Sequence, residues 1–159
     1  MAKFSARDIV GTWRLVKWDA VRPDGAVSYP LGPRVDGFAI YGADGWMSST
    51  LMSGDRKPLS TGRARSAPVA ERAAAFDGFL GYSCRWRLVD DVVEHEVLVA
   101  LNPAMVGTRQ RRHVSFSGRR LVLSTDEPVA GGVRRHRLVL RRVAATRSAV
   151  APGKGVKRR

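Results

Sequence analysis

The residues of this chain that could do chemistry are few and scattered: Tyr82, Trp86, His95, Gln110, Arg112 and His136. Each falls on an alternating stretch. Side chains along a strand point to opposite faces in turn, so every stretch offers two residue sets and burial must choose one. In 82–89 the apolar set is Tyr82, Cys84, Trp86 and Leu88, against Ser83, Arg85, Arg87 and Val89. In 92–101, Val93, His95, Val97, Val99 and Leu101 oppose Glu94, Glu96, Leu98 and Ala100. In 108–116, Val114 and Phe116 carry Gln110 and Arg112 to the inner face with them. The last stretch puts His136, Leu138 and Leu140 inside, with Arg142 of the same parity at its end. On the first, Trp13 and Leu15 point in, followed by Lys17 near the rim.

An apolar enclosure with sparse polar groups has the make-up of a small-molecule site, where the walls supply affinity and the polar groups fix orientation. Arg112 stands out, because an unpaired buried guanidinium costs on the order of several kcal/mol. No acidic residue shares the inward sets. Arg112 must therefore reach a carboxylate at the mouth, such as Asp36 or Asp77, or meet a carboxylate, phenolate or enolate oxygen of a ligand. If the chain were an enzyme, His95 would be its acid or base, Tyr82 a donor and Arg112 the group that stabilises negative charge. Each residue also has a plainer reading. Arg112 can be a structural arginine near a barrel end, His95 a hydrogen-bonded core histidine, and Tyr82 and Trp86 core residues. Cys84 reads as a small buried hydrophobe.

No strong catalytic motif accompanies these residues. There is no G-x-S-x-G, no phosphate-cradling glycine loop and no His, Cys or Glu at metal-ligand spacing. Glu94 and Glu96 flank His95 but point to the opposite face. No metal and no cofactor is expected.

The elements that must position these side chains are short strands. Val10–Trp18 is bounded by Pro23-Asp24-Gly25. After Ala26–Tyr29 come Gly37–Tyr41 and Trp46–Met52, joined by Ala43-Asp44-Gly45, a hairpin signal because Asp-Gly supplies positive φ. Residues 53–65 read as loop, and 68–80 as an Ala-rich helix with Glu71 in its first turn, ended by Gly78 or Gly81. Tyr82–Val89, Val92–Leu101, Thr108–Phe116, Arg120–Ser124 and Val133–Arg142 follow, the last after a loop over 126–132. The expected fold is a closed antiparallel up-and-down β-barrel of about 8–9 strands with one inserted short helix, of a size that encloses one small molecule.

Gly11-Thr12-Trp13 at the start of the first strand and Arg141-Arg142 at the end of the last resemble the lipocalin signature. With VGTWRLVKW (10–18), YPLGP (29–33), IYGADGWMSSTLM (40–52), AAAFDGFLGY (73–82), VEHEV (93–97), VGTRQRR (106–112) and HRLVLRR (136–142), the chain resembles bacterial lipocalin-like domains, small calycin-type barrels with an N-terminal G-x-W. The resemblance implies that Trp13 closes one barrel end with Arg142 across its ring. It also implies binding of a small hydrophobic or amphipathic ligand inside. The alternative is an isomerase or cyclase moving one proton on a polyketide-like substrate. Haem could be ligated only by His95 or His136, and the glycine expected after the G-x-W of haem-binding barrels is absent.

Composition bounds the rest. At 159 residues with 44% hydrophobic content the chain is one domain with a real core. Residues 1–142 form the expected barrel and 143–159 a disordered basic tail. Of the 28 Lys and Arg, 23 precede position 143 along with all 14 acidic residues, so the body carries about +9 of the net +14. The tail suits non-specific contact with polyanions, and no specific nucleic-acid role is expected. With no apolar run of spanning length, no signal-like start and the lone Cys84, the expectations are no membrane insertion, a cytoplasmic location, and a monomer or homodimer.

Overall fold

The computed structural model describes residues 4–145. The basic tail of the sequence reading thus lies outside the described residues from position 146 on. Nine strands form one antiparallel sheet: β1 (Gly11–Val21), β2 (Val27–Ser28), β3 (Val35–Tyr41), β4 (Trp46–Ser53), β5 (Phe79–Val89), β6 (Val92–Ala100), β7 (Arg109–Ser117), β8 (Arg120–Val129) and β9 (Gly132–Arg142). Their order is β2-β1-β3-β4-β5-β6-β7-β8-β9, and β1 pairs again with β9. That second pairing closes eight strands into a barrel and leaves β2 as an extra strand. The expected fold class is therefore the observed one.

Two short α-helices serve the barrel's ends. α1 (Ala6–Ile9), which the polar start of the chain did not suggest, caps the end where β1 begins. Trp13, 1% exposed, donates its indole N–H to the Ile9 carbonyl at 2.7 Å. The Arg142 guanidinium lies 4.1 Å over the Trp13 ring and donates to the carbonyls of Val10, at 2.7 Å, and Asp8. Gly11 makes room for it: a Cβ there would stand 2.6 Å from Arg142 Nη1. The G-x-W is thus a packing device, with the glycine admitting the arginine that covers the tryptophan.

α2 (Val69–Asp77) lies beside β5 at the other end and is closed by Gly78, the first of the two glycines expected to end it, so that Phe79 and Leu80 open β5 and are not helical as expected. It buries none of its residues, so packing alone does not hold it. Ser60 donates through its N–H and hydroxyl to Glu71, Arg56 donates to the Ala75 carbonyl, and Ser53 N–H to the Gly78 carbonyl. These bonds tie residues 53–65 to the helix.

Three further expectations are corrected. In β1 the pairing with β9 shifts between Leu15 and Lys17, so Val16 bulges outward. An extra residue reverses the parity beyond it. Trp18 therefore faces in, and Lys17 turns out to pair with Asp19 at 2.7 Å. In β6 the register shifts opposite Ser83/Cys84, making Leu98 the extra residue. Val99 (66% exposed) and Leu101 then face outward, and Ala100 pairs with Tyr82. Finally, 126–132 is not a loop: β8 runs on to Val129 against β9, with Asp126–Arg135 and Glu127–His136 pairs across the ladder.

Arg142→Met keeps the apolar stem but loses the stacked charge and the carbonyl bonds. It should lower the unfolding free energy by about 1–3 kcal/mol, seen as a lower urea midpoint at unchanged m. Arg142→Lys should recover little, because a point-like ammonium cannot replace the planar fork. An unchanged midpoint in both variants would show that the stack does not hold this end together.

Candidate functional site

β3, β5, β6 and β7 bring four polar side chains together inside the barrel. His95 is fully buried. Its Nε2 lies 3.0 Å from the Tyr41 hydroxyl and its Nδ1 3.0 Å from the Tyr82 hydroxyl. Tyr41 is 1% and Tyr82 6% exposed. Arg112, partly buried on β7, is close enough for its charge to act on Tyr41, Tyr82, Cys84 and His95 alike.

The electrostatics follow from dryness. Burial makes a charged imidazolium costly, and the Arg112 charge works in the same direction, so the His95 pKa falls to about 3. Burial drives the Tyr41 phenol well above its usual value and raises Tyr82, with Arg112 opposing both shifts. The Cys84 thiol, also by burial, is pushed up to about 12. Near neutral pH Arg112 is therefore the one charged member of this cluster.

That charge has no carboxylate. None of the ion pairs among the described residues includes Arg112. Asp36, one expected partner, instead clamps Arg14 with two bonds of 2.7 Å. The hydrogen bonds from Arg14 and from the Gly37 N–H hold the Asp36 carboxyl at about 2. Asp77, the other, ends α2. Arg112 instead faces an interior space of about 20 Å³, whose lining includes Trp18, Met47, Ser49, Tyr82, Leu123 and Leu138. A space of that size suits one water molecule. Arg112 is also the first residue beyond the β7–β8 ladder, which joins only His113–Ser117 to Arg120–Ser124.

The remaining sequence candidates lie around this cluster. Trp86 packs edge-on against Tyr41, with centroids 5.0 Å apart, and donates to the Gly42 carbonyl. Gln110 stands beside His95 in the ladder and donates to the Thr108 hydroxyl at 2.8 Å. His136 faces Glu127 at 3.0 Å and accepts from the Trp18 indole at 3.4 Å. Sequence reasoning missed Tyr41, Trp18 and Ser49. The signal for Trp18 was hidden by the Val16 bulge. That for Tyr41 was masked because its face-mates, Gly37 and Ala39, are small. No group of His, Cys, Asp and Glu that could hold a metal occurs among the described residues, and none of their helices is long and apolar enough to cross a membrane.

A closed eight-stranded barrel with an arginine-covered G-x-W agrees with the family comparison, in which the lipocalin-like domain matches residues 10–143. The chain belongs to the lipocalin-like domain family. No curated protein matches it. As a lipocalin-like barrel it suits small-molecule binding in general. Larger hollows than the interior one exist: about 500 Å³ between residues 53–59 and α2, and about 430 Å³ beside Phe76, Phe79 and Leu101. Both are open to solvent, whereas the convergent buried polar groups lie inside the lipocalin-like barrel.

The His95 shift predicts a pH dependence. Its folded value of about 3 lies below the unfolded value of about 6.5. The unfolded chain therefore takes up the proton first. The stability tied to neutral His95 is complete above about pH 6.5 and is lost as pH falls toward 3, at up to about 1.4 kcal/mol per pH unit. Urea titrations should show a shallower loss of stability in this window for His95→Gln than for the parent. Equal slopes would mean that His95 titrates normally.

Proposed function

We propose that the barrel binds a small hydrophobic or amphipathic molecule, held by Arg112 through an anionic oxygen. The observation that carries this reading is a guanidinium without a carboxylate partner, facing a space walled mainly by apolar side chains. A ligand carboxylate, phenolate or enolate supplies the missing charge, and the walls supply the affinity. Because the interior space is water-sized, a larger ligand enters by parting side chains, with Arg112 at the point where the β7–β8 ladder ends.

Binding is favoured over proton-transfer catalysis by the state of His95. Both of its ring nitrogens are engaged by tyrosine hydroxyls, and burial brings its pKa to about 3. An effective base near neutral pH needs a value near its operating pH. Tyr82 and Arg112 serve as orienting donors, and Trp86, Gln110 and His136 are supporting residues of the pocket's surroundings.

Native mass spectrometry of gently purified protein should show a reproducible extra mass of a few hundred daltons. Arg112→Leu should remove it, since losing a charge-assisted bond weakens binding by about ten- to hundredfold. An adduct retained in full by Arg112→Leu would sink the role given to this arginine.

A further inference from the structure

The Tyr41 hydroxyl takes no part in the proposed binding. Its hydroxyl has one hydrogen-bond partner among the described residues, His95 Nε2, and it is shut off from solvent. A neutral imidazole carries its proton on one nitrogen only, and the two choices differ here. If Nε2 is protonated it donates to Tyr41, and the Tyr41 O–H is left buried with no acceptor. Such an orphaned donor costs about 1–3 kcal/mol. If Nδ1 is protonated, Tyr41 donates to Nε2 and Nδ1–H donates to Tyr82. The free donor is then the Tyr82 O–H, which borders the interior space where a water or ligand oxygen can accept it, whereas Tyr41 borders no such space.

We propose that Tyr41, His95 and Tyr82 form a one-way chain of hydrogen bonds. It frees the Tyr82 hydroxyl proton to point into the cavity beside Arg112, so that the site takes an apolar carboxylate on two donors. Tyr82 and Arg112 line the same space, together with Met47, Leu123 and Leu138. The Tyr82 oxygen, already accepting from Nδ1, has its own proton to offer outward. A planar guanidinium and a phenol both donate, and a carboxylate accepts from both while giving nothing back. Burial supports the arrangement by keeping the imidazole neutral, which excludes a doubly protonated ring. His95 and Tyr41 are positioning residues on this view, acting through the Tyr82 hydroxyl. The choice of ligand rests on the proposed function; the direction of the chain does not.

The experiment is a long-range ¹⁵N–¹H spectrum of the imidazoles in the full chain, with His95 assigned by its loss in His95→Gln. The expected pattern is a protonated Nδ1 and a bare Nε2, unchanged from about pH 5 to about pH 8. In Tyr41→Phe nothing donates to the bare Nε2, so its ¹⁵N resonance should move downfield while Nδ1 keeps the proton that Tyr82 accepts. Calorimetry with cyclohexanecarboxylate and cyclohexylmethanol supplies the second readout. The acid should bind the parent at least about tenfold tighter than the alcohol. Tyr82→Phe should weaken the acid by about tenfold and leave the alcohol unchanged. An Nε2–H tautomer in the parent would overturn the chain's direction. So would a Tyr41→Phe variant whose Nε2 resonance does not move. Nδ1 protonation without uptake of either probe would overturn the carboxylate site, and the proposed function with it, while leaving the direction of the chain in place.

Discussion

The closing ladder between β1 and β9 is the constraint on which the rest of this structure depends. It runs from Trp13 opposite Arg142 to Val21 opposite Arg135, and it turns an open sheet into a barrel. Only a closed sheet has an inside remote from solvent, and only closure removes the two exposed edges of an open one. The Val16 bulge lets β1 continue past Leu15 while still pairing with β9. Trp13 and its arginine lock the same ladder at the closed end, where α1 and the glycine of the G-x-W complete the seal.

Closure then sets the chemistry. A histidine in the open would titrate near neutrality; in this interior the cost of desolvating a charge holds His95 neutral. The low local dielectric that disables it as a base strengthens its hydrogen bonds to Tyr41 and Tyr82. It also makes the Arg112 guanidinium, which has no carboxylate partner among the described residues, expensive, a cost that the proposed anionic ligand would offset. On the proposed reading, these four residues present donors and do not move protons.

Much of this was legible from parity alone. Tyr82, Cys84 and Trp86 on β5, Val93, His95 and Val97 on β6, and Arg112 and Val114 on β7 all face inward, because each run keeps a strict alternation up to that point. The Val99, Leu101 and Lys17 placements failed for one reason: a bulge adds a residue that the hydrophobic pattern does not mark. On β3 the pattern misleads outright. Phe38 and Ile40 are 39% and 48% exposed, while Gly37 and Ala39 share the inner face with Tyr41. A Cβ on Gly37 would come within 2.2 Å of the Thr50 carbonyl oxygen, so backbone approach, not side-chain hydrophobicity, decides that residue. The polar run 126–132 reads locally as loop, yet it is strand because its charges find partners across the β8–β9 ladder, as Asp126 does in Arg135. The link between Tyr41 and His95 joins residues 54 apart, and no local pattern carries it.

A tight interior is compatible with a binding role because the wall is not equally strong everywhere. Opening most of the barrel would break ladder hydrogen bonds, each leaving donors and acceptors to be rehydrated or orphaned. Between β7 and β8 the ladder stops at His113 and Ser124, and β8 continues upward with β9 alone. Widening the barrel there costs side-chain packing but no further β7–β8 backbone bonds. Arg112 stands at that boundary, partly exposed on one side and facing the polar cluster on the other. Under the proposed function, a carboxylate arriving at the boundary would meet the guanidinium before its apolar body displaced Trp18, Leu123 or Leu138. On that proposal the charge orients the ligand first, and burial of its apolar body follows.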